Sequence, residues 1–198
     1  MEGRGARVAR DPEVEEQRDH RADWVQDALR RFAGPLTRYA ARITGDAERA
    51  RDVVQDTFVR LWTADPARLN GKLAEWLFTV CRRRALDVNR KERRMTALDE
   101  LELDATASAE PGPDAQAAQR ECEGEALRLL AALSPNQQEV IRLKFQNGLS
   151  YQQISGVTGL SASNVGYLIH TGLKTLREKM READEGRSSK FKAQKNFQ

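Results

Sequence analysis

Cysteine is scarce in this 198-residue chain, which carries only Cys81 and Cys122. The two lie far apart without a pairing pattern, so we expect no disulfide framework and a location in a reducing cytoplasm. His20 and His170 have no metal-ligand spacing with each other or with the cysteines. The sequence therefore predicts neither a metal nor a cofactor.

Long apolar runs are absent as well, and aromatic residues are few. No apolar run approaches the roughly 18 residues of a membrane span, and no apolar core follows the basic N-terminus, so we predict neither membrane insertion nor a signal peptide. Aromatic residues make up 6% of the chain and charged residues 32%, which favours small helical domains over a large sheet core. Because no serine, cysteine or carboxylate stands in a recognisable nucleophile motif, an enzyme is not predicted.

What the chain does have is segregated charge. The net charge is only +3, but basic blocks alternate with acidic ones. This pattern suits a polyanion on some surfaces and a basic partner on others.

Apolar residues recur at helical spacing in three segments of the N-terminal half. They predict a first helical domain over residues 22–94, preceded by a mobile arm over residues 1–21. The residues expected to be buried are Leu29, Phe32, Leu36, Tyr39 and Ile43 in the first helix, Val53, Val54, Thr57, Phe58, Leu61 and Trp62 in the second, and Leu73, Trp76, Leu77, Val80, Cys81 and Val88 in the third.

An acidic segment follows over residues 95–125, where Arg120 is the one basic residue. Its centre contains proline, glycine and small residues that do not form a packed element. About 30 residues of such chain span roughly 30 Å on average. We therefore predict a flexible linker that lets two domains occupy separate places on one large partner.

In the C-terminal half, residues 126–182 contain the helix start and stop signals of a helix-turn-helix. Gly148 suits the end of one helix, Gly159 a tight turn, and Ser161 the cap of a long last helix. We expect a disordered tail over residues 183–198. Two capping boxes mark the earlier helix starts: Ser134 with Gln137, and Ser150 with Gln153. The predicted fold class is all-α, two small helical domains joined by an acidic flexible linker; an ordinary helical hairpin is the alternative for the second domain.

In a helix-turn-helix, the first turn of the last helix enters the major groove of DNA. Here it offers Ser163, Asn164 and Tyr167 to base edges, and asparagine is well suited to adenine. For His170, a phosphate or partner contact and core packing remain open alternatives. The residues expected to hold phosphates are Arg142, Lys144, Lys174 and Arg177.

The third helix is strongly basic, and a polyanion docked on it would release counterions. Trp76 and Phe78 near its start are candidates for stacking on unpaired bases, although core packing is the alternative for Trp76. The basic residues are Arg82, Arg83, Arg84, Arg90, Lys91, Arg93 and Arg94. The second helix instead exposes Asp52, Gln55 and Asp56, which suit a basic protein groove or, taken alone, are a solvated face.

At these positions the sequence resembles the extracytoplasmic function (ECF) group of bacterial sigma factors. The resemblance covers roughly residues 25–94 and 126–180, and the order and spacing of its motifs are more specific than the helix-turn-helix alone. The matching segments are Ala50–Trp62, Trp76–Arg82, Ala85–Asp87, Leu133–Pro135, Gly148–Ile154 and Gly159–Ser161.

The resemblance implies that Asp52, Gln55 and Asp56 dock on the clamp helices of the largest subunit of RNA polymerase. It implies that the last helix, which begins at Ser161, reads the minus-thirty-five promoter element. It also implies an anti-sigma factor as a partner class. The acidic linker would thread through the polymerase, which holds the catalytic metals. The residues that would recognise and help melt the minus-ten element, where a base is captured in a pocket, are Asn70, Lys72, Arg82, Arg83, Arg90, Lys91 and Arg94.

Some residues depart from the family pattern. Arg51 stands where a second acid is frequent, which predicts weaker or regulated polymerase binding, and Arg83 stands where asparagine is common. Thr63 lies on the same helical side as Asp52, so a regulatory kinase that phosphorylates it would restore the negative charge. Gly166, Thr171, Gly172 and Leu173 occupy positions where lysine or arginine is frequent.

Two alternatives remain on sequence grounds. A polymerase-independent helix-turn-helix regulator would normally dimerise on symmetric half-sites, but the chain shows no heptad seam. A recombinase with a DNA-binding tail would need a catalytic motif, and none is recognisable.

Overall fold

A computed structural model of the chain describes residues 12–99 and 129–195, which belong to two compact units, residues 1–98 and 99–198. In both described ranges the regular structure is helical and contains no strand, which confirms the all-α prediction. Across residues 12–99 and 129–195, no helix combines the length and the apolar composition that a membrane span requires. Residues 1–11 of the predicted arm and residues 100–125 of the predicted linker lie outside the described ranges.

The first unit contains the helices α1 (Pro12–Thr44), α2 (Ala47–Thr63) and α3 (Leu73–Asp99). A 3-10 helix, Pro66–Leu69, connects α2 to α3. The side chain of Asp46 caps α2 by accepting a hydrogen bond of 2.8 Å from the backbone N–H of Arg49. As predicted, α2 ends just before Asp65 and Pro66, because a residue that precedes proline disfavours the helical conformation.

Three predicted boundaries were wrong. Helix α1 begins at Pro12 and therefore includes residues 12–21 of the predicted arm, because proline suits the first turn of a helix. Helix α3 continues past Arg94 to Asp99. In the second unit the last helix continues to Lys195, through most of the predicted disordered tail, because the sequence after Ala162 contains no proline to stop it.

The core of the first unit lies where the three helices meet, at Leu36, Leu61, Leu77 and Phe78. The rings of Tyr39 and Phe78 pack edge to face with centroids 5.3 Å apart. Phe78 is only 1% exposed, so the prediction that it stacks on unpaired bases was wrong: it stabilises the core instead.

Two residues of the predicted apolar stripes are exposed. Six others are only half-buried: Phe32, Ile43, Leu73, Trp76, Val80 and Val88. Leu29 is 43% exposed and Trp62 is 45% exposed, whereas the sequence pattern placed both on buried faces. The periodicity correctly located the apolar side of each helix. It could not show that this end of the α1–α2 pair is left uncovered.

The second unit contains α4 (Pro135–Phe145), α5 (Tyr151–Thr158) and α6 (Ala162–Lys195). Both predicted capping boxes are present, at Ser134 and at Ser150. Gly159 ends α5 with a φ of 78°, a left-handed conformation that glycine adopts without steric cost. Ser161 then caps α6 by accepting a hydrogen bond from the backbone N–H of Asn164. This short helix, tight turn and long helix confirm the predicted helix-turn-helix arrangement.

The helix-turn-helix core consists of Ile154 and Val165, both fully buried, with Leu143 from α4. Leu160 and Leu168, which the sequence also placed there, are only half-buried. Ile169, which is 3% exposed, takes the position expected of Leu168 because it lies one helical turn after Val165.

Candidate nucleic-acid and partner interfaces

Helix α6 has two opposite faces. Val165, Ile169 and Gly172 lie on the buried face. The opposite face repeats at the same helical spacing and is exposed throughout its first three turns; its residues are Ser163, Tyr167, His170 and Lys174, with Asn164 beside them. Tyr167 is 66% exposed. The fold thus brings together on one accessible face the α6 side chains that the sequence predicted to reach base edges, and His170 lies on this face instead of in the core.

Two basic residues of α4 are less accessible than those of α6. Lys144 is half-buried, and its Nζ lies 5.3 Å from the centre of the Tyr151 ring. A cation over an aromatic ring is attracted by the negative charge of the ring face, so Tyr151 holds Lys144 in place. Arg142 is also half-buried. Both remain candidates for phosphate contacts, with their positions fixed by the protein.

The basic residues of α3 form a track. Arg83, Lys91 and Arg94 are exposed, and Arg82 is half-buried. Arg90 is exposed and forms an ion pair of 3.3 Å with Asp87 on the same helix. Lys72 precedes the helix, so at 1.5 Å per residue the track extends for about 33 Å from Lys72 to Arg94. The predicted minus-ten residues therefore do not converge on one point: Asn70 and Lys72 lie at one end and Arg94 at the other.

A cavity of about 560 Å³ opens at the end of this track where α3 begins. We call it the loop cavity. Asn70 and Gly71 contribute one wall, and Trp24, Arg31 and Phe32 of α1 contribute another. Its volume is within the range of small-molecule pockets. Its aromatic rings, guanidinium and amide are the groups that stack on and hydrogen-bond to a base.

Sequence reasoning missed the contribution of α1 to this cavity. Phe32 matched the apolar period of a helix, and that period does not distinguish a core residue from a cavity wall. Arg31 also lines the cavity; its guanidinium lies 5.2 Å from the centre of the Phe32 ring and 3.4 Å from Asp27, and the sequence pattern did not reveal these contacts.

The acidic patch on α2 is less uniform than the sequence suggested. Asp52 and Gln55 are exposed, and Arg51 is exposed beside them. Asp56 is half-buried and accepts a hydrogen bond of 2.7 Å from Nε of Arg84 on α3. Asp56, one of the two acidic residues predicted to contact the polymerase, therefore already has a partner within the protein.

An apolar groove runs beside this patch, between α1 and α2, with a volume of about 490 Å³. The exposed side chains of Leu29, Val59 and Trp62 line it, and Arg51 and Gln55 also contribute to it. Val59 is 60% exposed. Exposed apolar side chains that cluster in this way are typical of surfaces that bind another protein.

Within residues 12–99 and 129–195, no group of three or more potential metal-ligating side chains lies close enough together to hold a metal ion. Cys81 is buried in the first unit. Burial raises the pKa of its thiol to about 12, against a smaller opposing effect of a hydrogen bond with Thr57. A protonated buried thiol is a poor nucleophile and a poor metal ligand, so Cys81 has a packing role.

Comparison with known families gives two matches. Residues 23–95 match the family described as Sigma-70 region 2, and residues 123–176 match Sigma-70, region 4. The two matches correspond to the two structural units.

Individual relatives agree with these family matches. The chain is 33% identical over 159 residues to the ECF RNA polymerase sigma factor SigL of Mycobacterium tuberculosis, an alignment that covers 76% of this chain and 85% of SigL. It is 28% identical over 173 residues to the RNA polymerase sigma factor CarQ of Myxococcus xanthus, covering 86% of this chain and 97% of CarQ.

Two solved structures share the fold at lower identity. CnrH, in complex with the cytosolic domain of CnrY, matches with a TM-score of 0.53 and 23% identity, over 80% of this chain and 88% of CnrH. The sigma factor RpoE of Bartonella quintana, in complex with the anti-sigma factor NepR, matches with a TM-score of 0.56 and 21% identity, over 79% of this chain and 96% of RpoE.

Proposed function

Because the chain belongs to the ECF group of RNA polymerase sigma factors, we propose that it directs core RNA polymerase to a specific set of promoters and assists initiation there. The observation that carries this proposal is the presence of both sigma regions, each coinciding with one structural unit. A helix-turn-helix regulator that acts without polymerase would not account for the region 2 match, so that alternative is not favoured.

The first unit is proposed to recognise and open the minus-ten element. The exposed basic track of α3 supports this role, because a track of about 33 Å can follow roughly ten nucleotides at 3.4 Å each. The loop cavity suits a base that has left the stack. Asn70 would hydrogen-bond to such a base, and Trp24 and Phe32 would supply apolar and stacking surface.

The second unit is proposed to read the minus-thirty-five element with the exposed face of α6. Ser163, Asn164 and Tyr167 would contact base edges in the major groove. His170 and Lys174 lie further along the same face and would contact phosphates, as would Lys144 from α4.

The acidic patch of α2 is proposed to dock on the clamp helices of the polymerase. Asp52 and Gln55 are exposed and available for this contact. Arg51 adds a positive charge to the same surface, which supports the prediction that polymerase affinity is weaker than in relatives that have an acid there.

We also propose that an anti-sigma factor covers the apolar groove between α1 and α2. Both structural relatives described above were solved with a protein partner, and for one of them the partner is called an anti-sigma factor. The groove provides the apolar surface that such a partner needs. If Val59→Asp leaves binding of a cognate anti-sigma factor unchanged, the groove is not its docking site.

Sigma factors are in general non-catalytic initiation factors. We propose that this chain likewise performs no chemistry and acts in the cytoplasm, where the polymerase supplies the catalytic metals. The polymerase-binding and promoter-binding roles of individual residues are part of the same proposal.

Run-off transcription with purified core polymerase on genomic DNA fragments tests the function. We expect start sites that depend on this chain and that share elements near positions minus ten and minus thirty-five. Asn70→Ala should reduce strand opening while retaining closed-complex binding, and Asn164→Ala should relax the choice among minus-thirty-five sequences. If the chain neither binds core polymerase nor supports any start site, the proposed function is wrong.

A further inference from the structure

The ion pair between Asp56 and Arg84 connects two surfaces to which the proposed function gives different partners. Asp56 belongs to the acidic patch on α2, and Arg84 belongs to α3, directly after Arg83 of the basic track. The Nε atom of Arg84 lies 2.7 Å from Oδ2 of Asp56. The two side chains are 43% and 46% exposed, so the pair lies at the surface, where an incoming partner can reach both residues.

A basic partner and Arg84 would compete for the same carboxylate. A carboxylate that already accepts a hydrogen bond from a guanidinium has one oxygen engaged and most of its charge compensated. Asp56 therefore meets a polymerase surface at its full negative charge only after Arg84 has moved away.

The packing of α2 against α3 does not depend on this pair. Arg49 of α2 also forms an ion pair with Glu92 of α3, two turns further along. The buried side chains of Phe58, Leu61 and Leu77 supply the apolar core of the same unit. Loss of Arg84 is therefore expected to change the surface charge without unfolding the domain.

We propose that Arg84 is an internal competitor of RNA polymerase for Asp56, and that its release on docking adds a cation to the DNA-binding track. This inference rests on the proposed function. Arg84 can bind either Asp56 or DNA. Polymerase docking on Asp56 therefore frees Arg84 for DNA, and DNA binding by Arg84 frees Asp56 for the polymerase, so each binding event strengthens the other by the same factor. Arg84 is thus a positioning residue that makes the free protein less competent for both partners than the docked one.

The test measures the affinity of the full-length chain for core polymerase. Arg84→Gln should bind core polymerase about two- to fivefold more tightly than the wild type, which is the range that an exposed ion pair contributes. The matched control is Arg83→Gln, which removes the same charge from the adjacent, exposed position of α3. It should leave core affinity unchanged and weaken only promoter binding by the holoenzyme.

A double-mutant cycle shows whether the effect passes through Asp56. In an Asp56→Asn background, Arg84→Gln should no longer change core affinity. The inference alone is overturned if Asp56→Asn weakens core binding but Arg84→Gln does not strengthen it, or if Arg83→Gln strengthens it equally. If Asp56→Asn binds core polymerase as tightly as the wild type, the proposed docking site fails and the inference fails with it.

Discussion

Gly172 of α6 and Ile141 of α4 lie so close that a Cβ atom at position 172 would be 2.7 Å from Cδ1 of Ile141. Glycine is therefore favoured here, because two helices approach each other inside the second unit and an alanine Cβ would fit only if the Ile141 side chain shifted. This explains one departure that the sequence left without an account. Gly172 is buried on the side of α6 opposite the exposed Tyr167 and Lys174, so its small size serves the packing of the domain.

Gly172→Ala should destabilise the second unit by about 1 kcal/mol. Alanine has a higher helix propensity than glycine, but the free-energy cost of overpacking the core is larger than that gain. Gly166→Ala is the matched control on the same helix. A Cβ there would lie 3.5 Å from the Tyr151 ring, an ordinary contact, so this variant should be stabilised by about 0.5–1 kcal/mol. Urea unfolding of both variants measures the difference.

A second substitution identifies the cause of the Gly172 effect. Ile141→Val removes the atom that the new Cβ would meet. In that background Gly172→Ala should cost clearly less than in the wild type. If the cost is the same in both backgrounds, the close approach to Ile141 is not the reason for the glycine.

The contact between Lys144 and Tyr151 predicts a second result. If the aromatic ring holds Lys144 for a phosphate contact, Tyr151→Leu should weaken holoenzyme binding to minus-thirty-five DNA by about two- to fivefold, the range of an exposed cation–π contact. Tyr151→Phe keeps the ring and should bind like the wild type. A similar loss in both variants would point to the tyrosine hydroxyl and contradict the ring contact.

Arg51 provides a test of the proposed polymerase-docking surface. Arg51→Glu replaces a positive charge beside Asp52 with a negative one, so we expect core polymerase to bind about three- to tenfold more tightly at low salt, with a smaller gain as salt screens the charges. Arg38→Glu is the matched control, because Arg38 is also exposed but lies on α1, whereas the acidic patch lies on α2. Equal gains in both variants would indicate a general charge effect and no specific site.

Thr63 is the position through which a kinase would restore this negative charge. Thr63 is the last residue of α2 and is exposed, and its hydroxyl donates a 3.0 Å hydrogen bond to the carbonyl of Arg60. Arg21 donates hydrogen bonds to the carbonyls of Trp62 and Ala64 on either side, so a phosphate would have a cation nearby. Thr63→Glu should strengthen binding to core polymerase and Thr63→Val should not, as measured by competition with the wild type for core polymerase. If Thr63→Glu binds core polymerase no more tightly than Thr63→Val, the kinase hypothesis is contradicted.

Sequence reasoning succeeded where the relevant physics is local. The capping box at Ser150 involves atoms three residues apart, and the turn at Gly159 depends on the conformational freedom of one residue. Both were predicted and are confirmed. Trp62 and Phe78 were misjudged for the opposite reason: a helical period finds the apolar face, but only the other helices determine whether that face is covered.

The candidate interfaces divide in the same way. The exposed face of α6 with Tyr167 followed from the sequence, because it is simply the side of one helix opposite the buried residues. The loop cavity and the Asp56–Arg84 pair did not, because each joins residues that lie far apart in the chain. Trp24 and Asn70 line the same cavity only because the fold brings α1 and the 3-10 connection together, and no spacing rule within one helix predicts that arrangement.

Cys81 allows a prediction about pH. Burial raises the pKa of its thiol in the folded state to about 12, above the ordinary value of 9.0. A group whose folded pKa is raised stabilises the fold fully below its unfolded pKa and loses that contribution as pH rises through the folded value. The loss should therefore begin near pH 9 and continue towards pH 12, with a slope of up to about 1.4 kcal/mol per pH unit.

The measurement is urea unfolding at pH 8 and pH 10.5 in a Cys122→Ser background, where Cys81 is the only thiol. Between pH 8 and pH 10.5 the Cys122→Ser protein should lose about 2 kcal/mol more stability than the Cys122→Ser, Cys81→Ala protein. The reason is that the Cys81 thiol keeps its proton in the folded protein but releases it in the unfolded chain. Ellman's reagent at pH 8 should leave Cys81 unmodified until urea is added. Rapid modification of the folded protein, or equal pH dependence of the two variants, would mean that solvent reaches this thiol and that the α1–α3 core around Leu36 and Leu77 opens readily.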